Sequence, residues 1–158
     1  MPMSLVADPR GDVGAAVDAL PEEEFIVYGP SDAKHTVTVF TDVNCPYCRQ
    51  MHNEIEDYHL FDIRIRYAAF PSVHPDSLPQ MEAVWCSEDP HRALDEAKAG
   101  RPVAAEPCDN PVADHLVLAQ EMGFFGTPAI VTPKGEVRFG YVSAPDLADL
   151  LEQEAGSN

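Results

Sequence analysis

The chain has 158 residues, 45% of them hydrophobic, which is one domain's worth of sequence with enough apolar surface for a sizeable core. Twenty-seven acidic residues against ten Lys and Arg give a net charge of −17, which argues against nucleic acid and anionic membrane surfaces as partners. No apolar run approaches the roughly 18 residues of a spanning helix, so no membrane insertion is expected.

Met1 to Leu20 has no basic start, and Asp8, Arg10, Asp12 and Asp18 interrupt its apolar residues, so it does not read as a secretory leader. The expectation is a cytosolic chain or a mature exported one. Residues 1–21 read as an N-terminal segment or linker with a short helix from about Asp12 to Leu20, stopped by Pro21. Phe25 to Tyr28 is a short strand ended by Gly29-Pro30. His35-Thr-Val-Thr-Val-Phe-Thr41 is rich in β-branched residues and reads as a central strand. A helix starts near Cys45 with Pro46 in its first turn. It runs toward Tyr58, with Met51, Ile55 and Tyr58 on one face. Ile63 to Phe70 alternates as a second long strand.

From Pro71 to Met122 the pattern is helical pieces broken by prolines: Leu78 to Cys86, His91 to Ala99 closed by Gly100, and Val112 to Met122 closed by Gly123. Ala129 to Thr132 and Val137 to Tyr141 read as a hairpin turned at Pro133-Lys134-Gly135. A helix from Pro145 to Gln153 follows. This order, βαβ, a helical block, then ββα, gives an α/β domain over 22–154 with a mixed central sheet. A helical insertion occupies about 72–123, and 155–158 form a tail. The acidity reads as a solubility device or an adaptation to salt.

Chemistry concentrates at Cys45-Pro46-Tyr47-Cys48. A Cys-x-x-Cys at a strand-to-helix turn sets the first sulfur at a helix N-terminus, where orphan amides and the dipole favour an exposed thiolate. The second thiol one turn away can exchange disulfides with it, and Cys45 is expected to ionise well below the free value of about 8.5. The other cysteines, Cys86 and Cys108, are either a bridge, closing a loop worth about 3 kcal/mol of chain entropy, or buried free thiols. A bridge implies an oxidising compartment. His52 is expected to be half-exposed on the helix with no special duty, the sharper alternative being that it tunes the thiols. Arg49 is expected to be an exposed solubilising residue and Asp42 to serve the strand-end turn. Asp114-His115 reads as packing and hydrogen bonding within the insertion, and Trp85 as core.

The ordered set Phe25-Ile-Val-Tyr28, Thr38-Val-Phe-Thr-Asp42, Cys45-x-x-Cys48, Tyr67-Ala-Ala-Phe-Pro71, Trp85-Cys86, Cys108-Asp109, Ala113-Asp114-His115 and Gly126-Thr-Pro-Ala129 resembles the catalytic domain of the DsbC/DsbG-type bacterial disulfide isomerases, which have a thioredoxin-like fold. The resemblance runs from about Glu22 to Glu154. It implies Cys45 as nucleophile and Cys48 as resolving thiol. It implies a cis-proline loop at Thr127-Pro128 that meets substrate, with Tyr47 beside it, and a structural disulfide between Cys86 and Cys108. It further implies periplasmic work on misoxidised or unfolded exported proteins, a membrane thiol reductase as electron donor, and no cofactor or metal. About 35 residues precede the first long strand, too few for that family's dimerisation domain, so a monomer is expected. The strand position where thioredoxin carries a buried acid is here Val39. A copper(I)-handling protein is the rival reading, since two thiolates suffice for that soft ion; a non-catalytic chaperone is another.

Overall fold

A computed structural model describes residues 9–156, with side chains from residue 13 onward, so the expected N-terminal segment and C-terminal tail lie partly outside the described residues. Five strands, β1 Ile26–Tyr28, β2 His35–Thr41, β3 Ile63–Ala69, β4 Ala129–Val131 and β5 Val137–Phe139, form one mixed sheet in the order β1-β3-β2-β4-β5. β2 and β3 run parallel, with His35 opposite Ile63 and Thr41 opposite Ala69, while the other three pairings are antiparallel. A parallel pair needs a crossover, and α2 (Pro46–Asn53) with α3 (Ile55–Leu60) supplies it.

β2 lies at the centre and is covered on both faces, as its nearly continuous run of β-branched and aromatic residues requires. Val37 and Val39 point to one core with Met51, Tyr58, Leu147 and Leu151. Phe40 points to the other, with Val13, Val17, Phe70 and Phe124. Each fully buried Leu or Phe contributes about 1.5–3 kcal/mol, so these two layers hold β2 and the turn after it in place.

Between β3 and β4 stand α4 (Ser77–Trp85), α5 (Pro90–Lys98) and α6 (Val112–Glu121); α1 (Pro9–Asp18) and α7 (Ala144–Ala155) are at the ends of the described chain. Gly100 and Gly123 adopt φ of +84° and +78°, the left-handed conformation that closes α5 and α6.

Three expected boundaries move. The helix expected from Cys45 to Tyr58 is two helices, because Glu54 (φ −104°, ψ 19°) leaves the helical region while the Tyr141 hydroxyl donates to its carboxylate. The last strand stops at Phe139, because Gly140 turns to φ +98° and donates its N–H to the Pro128 carbonyl at 2.8 Å. The first helix begins at Pro9 rather than Asp12, proline being well suited to a first turn.

Candidate active site

The end of β2 and the start of α2 are fixed by Asp42. Its buried carboxylate accepts the N–H groups of Asn44 (2.9 Å), Ser72 (2.9 Å) and Val73 (2.8 Å), tying the turn before Cys45 to the segment after β3. Cys45 is the N-cap of α2, and its sulfur accepts the Cys48 N–H at 3.3 Å. On the opposite side Sγ lies 3.4 Å from the Thr127 carbonyl oxygen, in the loop with the cis Thr127–Pro128 peptide. Both thiols of the pair are free.

Cys45 is 4% exposed, not the open thiolate anticipated from the motif, because the Thr127 loop lies against it. Its ionisation is nonetheless favoured. The hydrogen bond from the Cys48 thiol, together with the Thr127 side chain and the Cys48 and Tyr47 amides, outweighs burial and lowers Cys45 to about 6. The strongest contribution thus comes from the second thiol, and the helix-end amides add to it. Cys48 moves the other way: burial first, and the neighbouring Cys45 second, push it well above an ordinary thiol, while Lys98 and Thr41 oppose the rise. The two sulfurs titrate as a split pair, one anionic and one protonated at neutral pH.

Around them Tyr47 is 58% exposed, and Phe125, 81% exposed, lies against Phe139 with ring centroids 4.0 Å apart. Phe124 is buried edge-on against Phe40 and Phe139. A cavity of about 180 Å³ opens beside the turn, lined by Val43, Asn44, Arg49, Gln80 and Arg101 among others. Arg49 is not a free surface residue; it is half-buried and its Nε donates to the Val43 carbonyl at 2.7 Å, bracing the turn.

His52 is 8% exposed, where a half-exposed side chain was expected. Burial, then the charge of Lys98, lowers it to about 4 despite Asp95, so it is neutral at pH 7. A neutral ring facing a carboxylate carries its proton on that side: Nε2–H donates to Asp95 (2.7 Å) and Nδ1 accepts from the Tyr67 hydroxyl (2.9 Å). His115 also leaves the expected pattern, since its Nδ1 accepts the Ala69 N–H at 3.1 Å, bonding the insertion to β3 rather than within itself. Trp85 is half-buried against the core, its indole N–H donating to the Glu24 carbonyl at 2.8 Å. A disulfide joins Cys86 to Cys108, with Cα atoms 5.7 Å apart.

Lys98 escaped sequence reasoning. It lies 5% exposed in the core, its Nζ donating to the Thr41 hydroxyl at 2.6 Å and sitting 4.3 Å from the Tyr67 ring centroid. The signal was present: Ala93, Leu94 and Ala97 mark the buried stripe of α5, and position 98 continues it. Among the described residues no group of three or more His, Cys, Asp or Glu is placed to hold a metal ion, and no helix is long and apolar enough to cross a membrane.

The family model described as a thioredoxin-like domain matches residues 21–155. The thiol:disulfide interchange protein DsbC of Escherichia coli K12 is 39% identical over 134 residues, covering 84% of this chain and 57% of that protein. The DsbC of Salmonella typhimurium is 41% identical over 84% of this chain and 56% of its own length, so the chain spans a little over half of these curated relatives. The crystal structure of a disulfide interchange protein from Neisseria gonorrhoeae superposes with a TM-score of 0.74 at 30% identity, covering 85% of this chain and 97% of that one. The chain therefore belongs to the thioredoxin-like family, in its DsbC-type thiol:disulfide interchange branch.

Proposed function

We propose that this chain is a protein thiol–disulfide oxidoreductase domain of the reductase or isomerase type, with Cys45 as nucleophile and Cys48 as resolving thiol. The observation that carries the reading is the setting of Cys45, which caps α2, accepts the Cys48 N–H at 3.3 Å and lies against the cis Thr127–Pro128 loop, an environment that favours its thiolate. In the cycle, the Cys45 thiolate attacks one sulfur of a substrate disulfide. A Cys45–substrate disulfide forms and the other substrate sulfur leaves as a thiolate. Cys48, once deprotonated, attacks Cys45 Sγ, forming the Cys45–Cys48 disulfide and releasing the second substrate sulfur with its electron pair. A stabilised Cys45 thiolate favours the reduced form and makes the disulfide the more oxidising partner.

Substrate binding falls to Thr127, Pro128 and Tyr47. Pro128 is buried with its carbonyl engaged by Gly140, so the Thr127 backbone is the edge on which an extended chain adds beside the sulfur. Exposed Tyr47 and Phe125 offer apolar contacts to unfolded segments. Cys86–Cys108 is the structural bridge; a disulfide kept as framework supports an oxidising compartment, here the periplasm, with misoxidised exported proteins as substrates and a membrane thiol reductase as electron source. Reduction of insulin by the dithiol-supplied protein tests the reading: turbidity from precipitated B chain is expected with the wild type and only the uncatalysed background with Cys45→Ser, and equal rates from the two overturn it.

A further inference from the structure

The resolving step has an unmet requirement. Cys48 must lose a proton before it attacks, yet it is buried, and the β2 residue Val39 is apolar and buried as well. What reaches this thiol comes from the insertion. Lys98 projects from the last turn of α5 into the core, its Nζ 2.6 Å from the Thr41 hydroxyl, and the Thr41 side chain and the Lys98 charge both favour ionisation of Cys48. An ammonium with so little water is costly to keep, and it remains here on one hydroxyl, the Tyr67 ring face and the anionic character of its surroundings.

The proposal rests on the Cys45–Cys48 reading above. We propose that Lys98 is a positioning residue for resolution: through the Thr41 hydroxyl it takes the proton that Cys48 loses as it attacks the mixed disulfide. The groups that face Lys98 make this step conditional on the state of Cys45. They are Cys48, His52 and Arg49 from α2, Cys45 and Asp42 from the preceding turn, Thr41 from β2 and Tyr67 from β3, with Asp95 of α5 behind His52. Burial lowers Lys98 to about 8, the Cys48, Cys45 and Asp42 charges hold its proton on, and Arg49 opposes them.

When Cys45 becomes part of a mixed disulfide its negative charge disappears. Lys98 then loses one of the charges that kept it protonated, and Cys48 loses the neighbour that kept it a thiol. Lys98 then releases its own proton to solvent and becomes a neutral acceptor, while the Cys48 thiol becomes easier to ionise. The Cys48 S–H passes its proton to the Thr41 oxygen while the Thr41 O–H passes its own to the neutral Lys98 amine. The resulting Cys48 thiolate attacks Cys45 Sγ, the Cys45–substrate S–S bond breaks, and the substrate sulfur leaves as thiolate. When the Cys45–Cys48 disulfide is reduced again, the same path returns the proton to the leaving Cys48 sulfur. Lysine suits the task because, unlike arginine, it gives up its proton when buried.

The test uses 5,5′-dithiobis(2-nitrobenzoate) on the reduced, full chain by stopped flow. Attack by Cys45 releases one coloured thiolate, and resolution by Cys48 releases a second. The wild type is expected to give both phases, the second with a pH midpoint below the free-thiol value of about 8.5. Lys98→Met should slow the second phase at pH 7 by about tenfold or more and move its midpoint up by about one unit, while the first phase persists. Thr41→Val, which breaks the path and leaves the lysine, should slow the second phase likewise, and Lys98→Arg should not restore it. A second phase unchanged in rate and pH profile in Lys98→Met or in Thr41→Val, or restored by arginine, overturns the proposal. So does a wild-type midpoint at or above the free-thiol value, a criterion that needs no variant. A wild type that lacks the first phase sinks the Cys45 reading and this one together, which separates the two failures.

Discussion

The chain carries two cysteine pairs, and they meet opposite fates. Cys45 and Cys48 are nearly sealed from solvent and remain free, whereas Cys86 is half-buried, Cys108 is exposed, and the two are joined. Exposure therefore does not separate the reactive pair from the structural one. The backbone around each does. Cys45 caps a helix and receives hydrogen bonds from the Cys48 thiol and amide, so its charged form is held. Cys86 ends α4 and Cys108 lies in the irregular stretch 101–110, which has no ladder hydrogen bonds to fix it. There the covalent link and the Asn110 side chain, which donates to the Cys108 carbonyl at 3.0 Å and accepts the Val112 N–H at 3.0 Å, define the path of the chain.

The sharpest way to break this contrast is to disable each pair in turn by mutation. Cys45→Ser should remove thiol-dependent insulin reduction altogether, while Cys86→Ala/Cys108→Ala should keep it in the fraction that remains folded. Comparing rates per folded molecule, with folding followed by circular dichroism, checks both; loss of activity in the folded double variant would erase the division of labour.

Acid should strain the frameworks behind both pairs. His52 backs the redox helix and His115 packs edge-on to Trp85, next to Cys86, and burial lowers each to about 4. The unfolded chain protonates them near 6.5, so between about 6.5 and 4 the unfolded state binds more protons. Stability is full above that window and declines as pH falls through it, by at most roughly 3 kcal/mol per histidine. Urea midpoints measured across this range check the sign, and His115→Gln should flatten part of the slope.

Opening the bridge comes next. Its 22-residue separation corresponds to about 3 kcal/mol on the chain-entropy model, so Cys86→Ala/Cys108→Ala should lower the unfolding free energy by about that amount. The smallest effect concerns the anchor beside it. Trp85→Phe removes the indole N–H bond to the Glu24 carbonyl and should cost about 1 kcal/mol, read from the same urea titrations.

The elements and the reactive motif were legible in the sequence because they depend on neighbours: β-branched residues in β2, alternation in β3, Pro46 in a first turn, glycines closing α5 and α6. What stayed hidden depends on residues far away along the chain. The Thr127 carbonyl that shelters Cys45 is 82 positions distant, and the Asp95 and Tyr67 that fix His52 are 43 and 15 positions away. No local pattern reports such contacts. The break at Glu54 was masked for another reason, since Met51, Ile55 and Tyr58 still pack toward one core across it and the apolar period runs on. Lys98 was overlooked because a charged residue is read as solvated, although its place on the α5 stripe marked it as buried.

The contrast between the pairs finally rests on one ionisation. Titrating the thiolate ultraviolet absorbance of the reduced protein, with Cys45→Ser as reference, measures it directly. A single thiolate with a midpoint at about 6, absent from the variant, is the predicted result. A midpoint at the free-cysteine value of about 8.5 would contradict it.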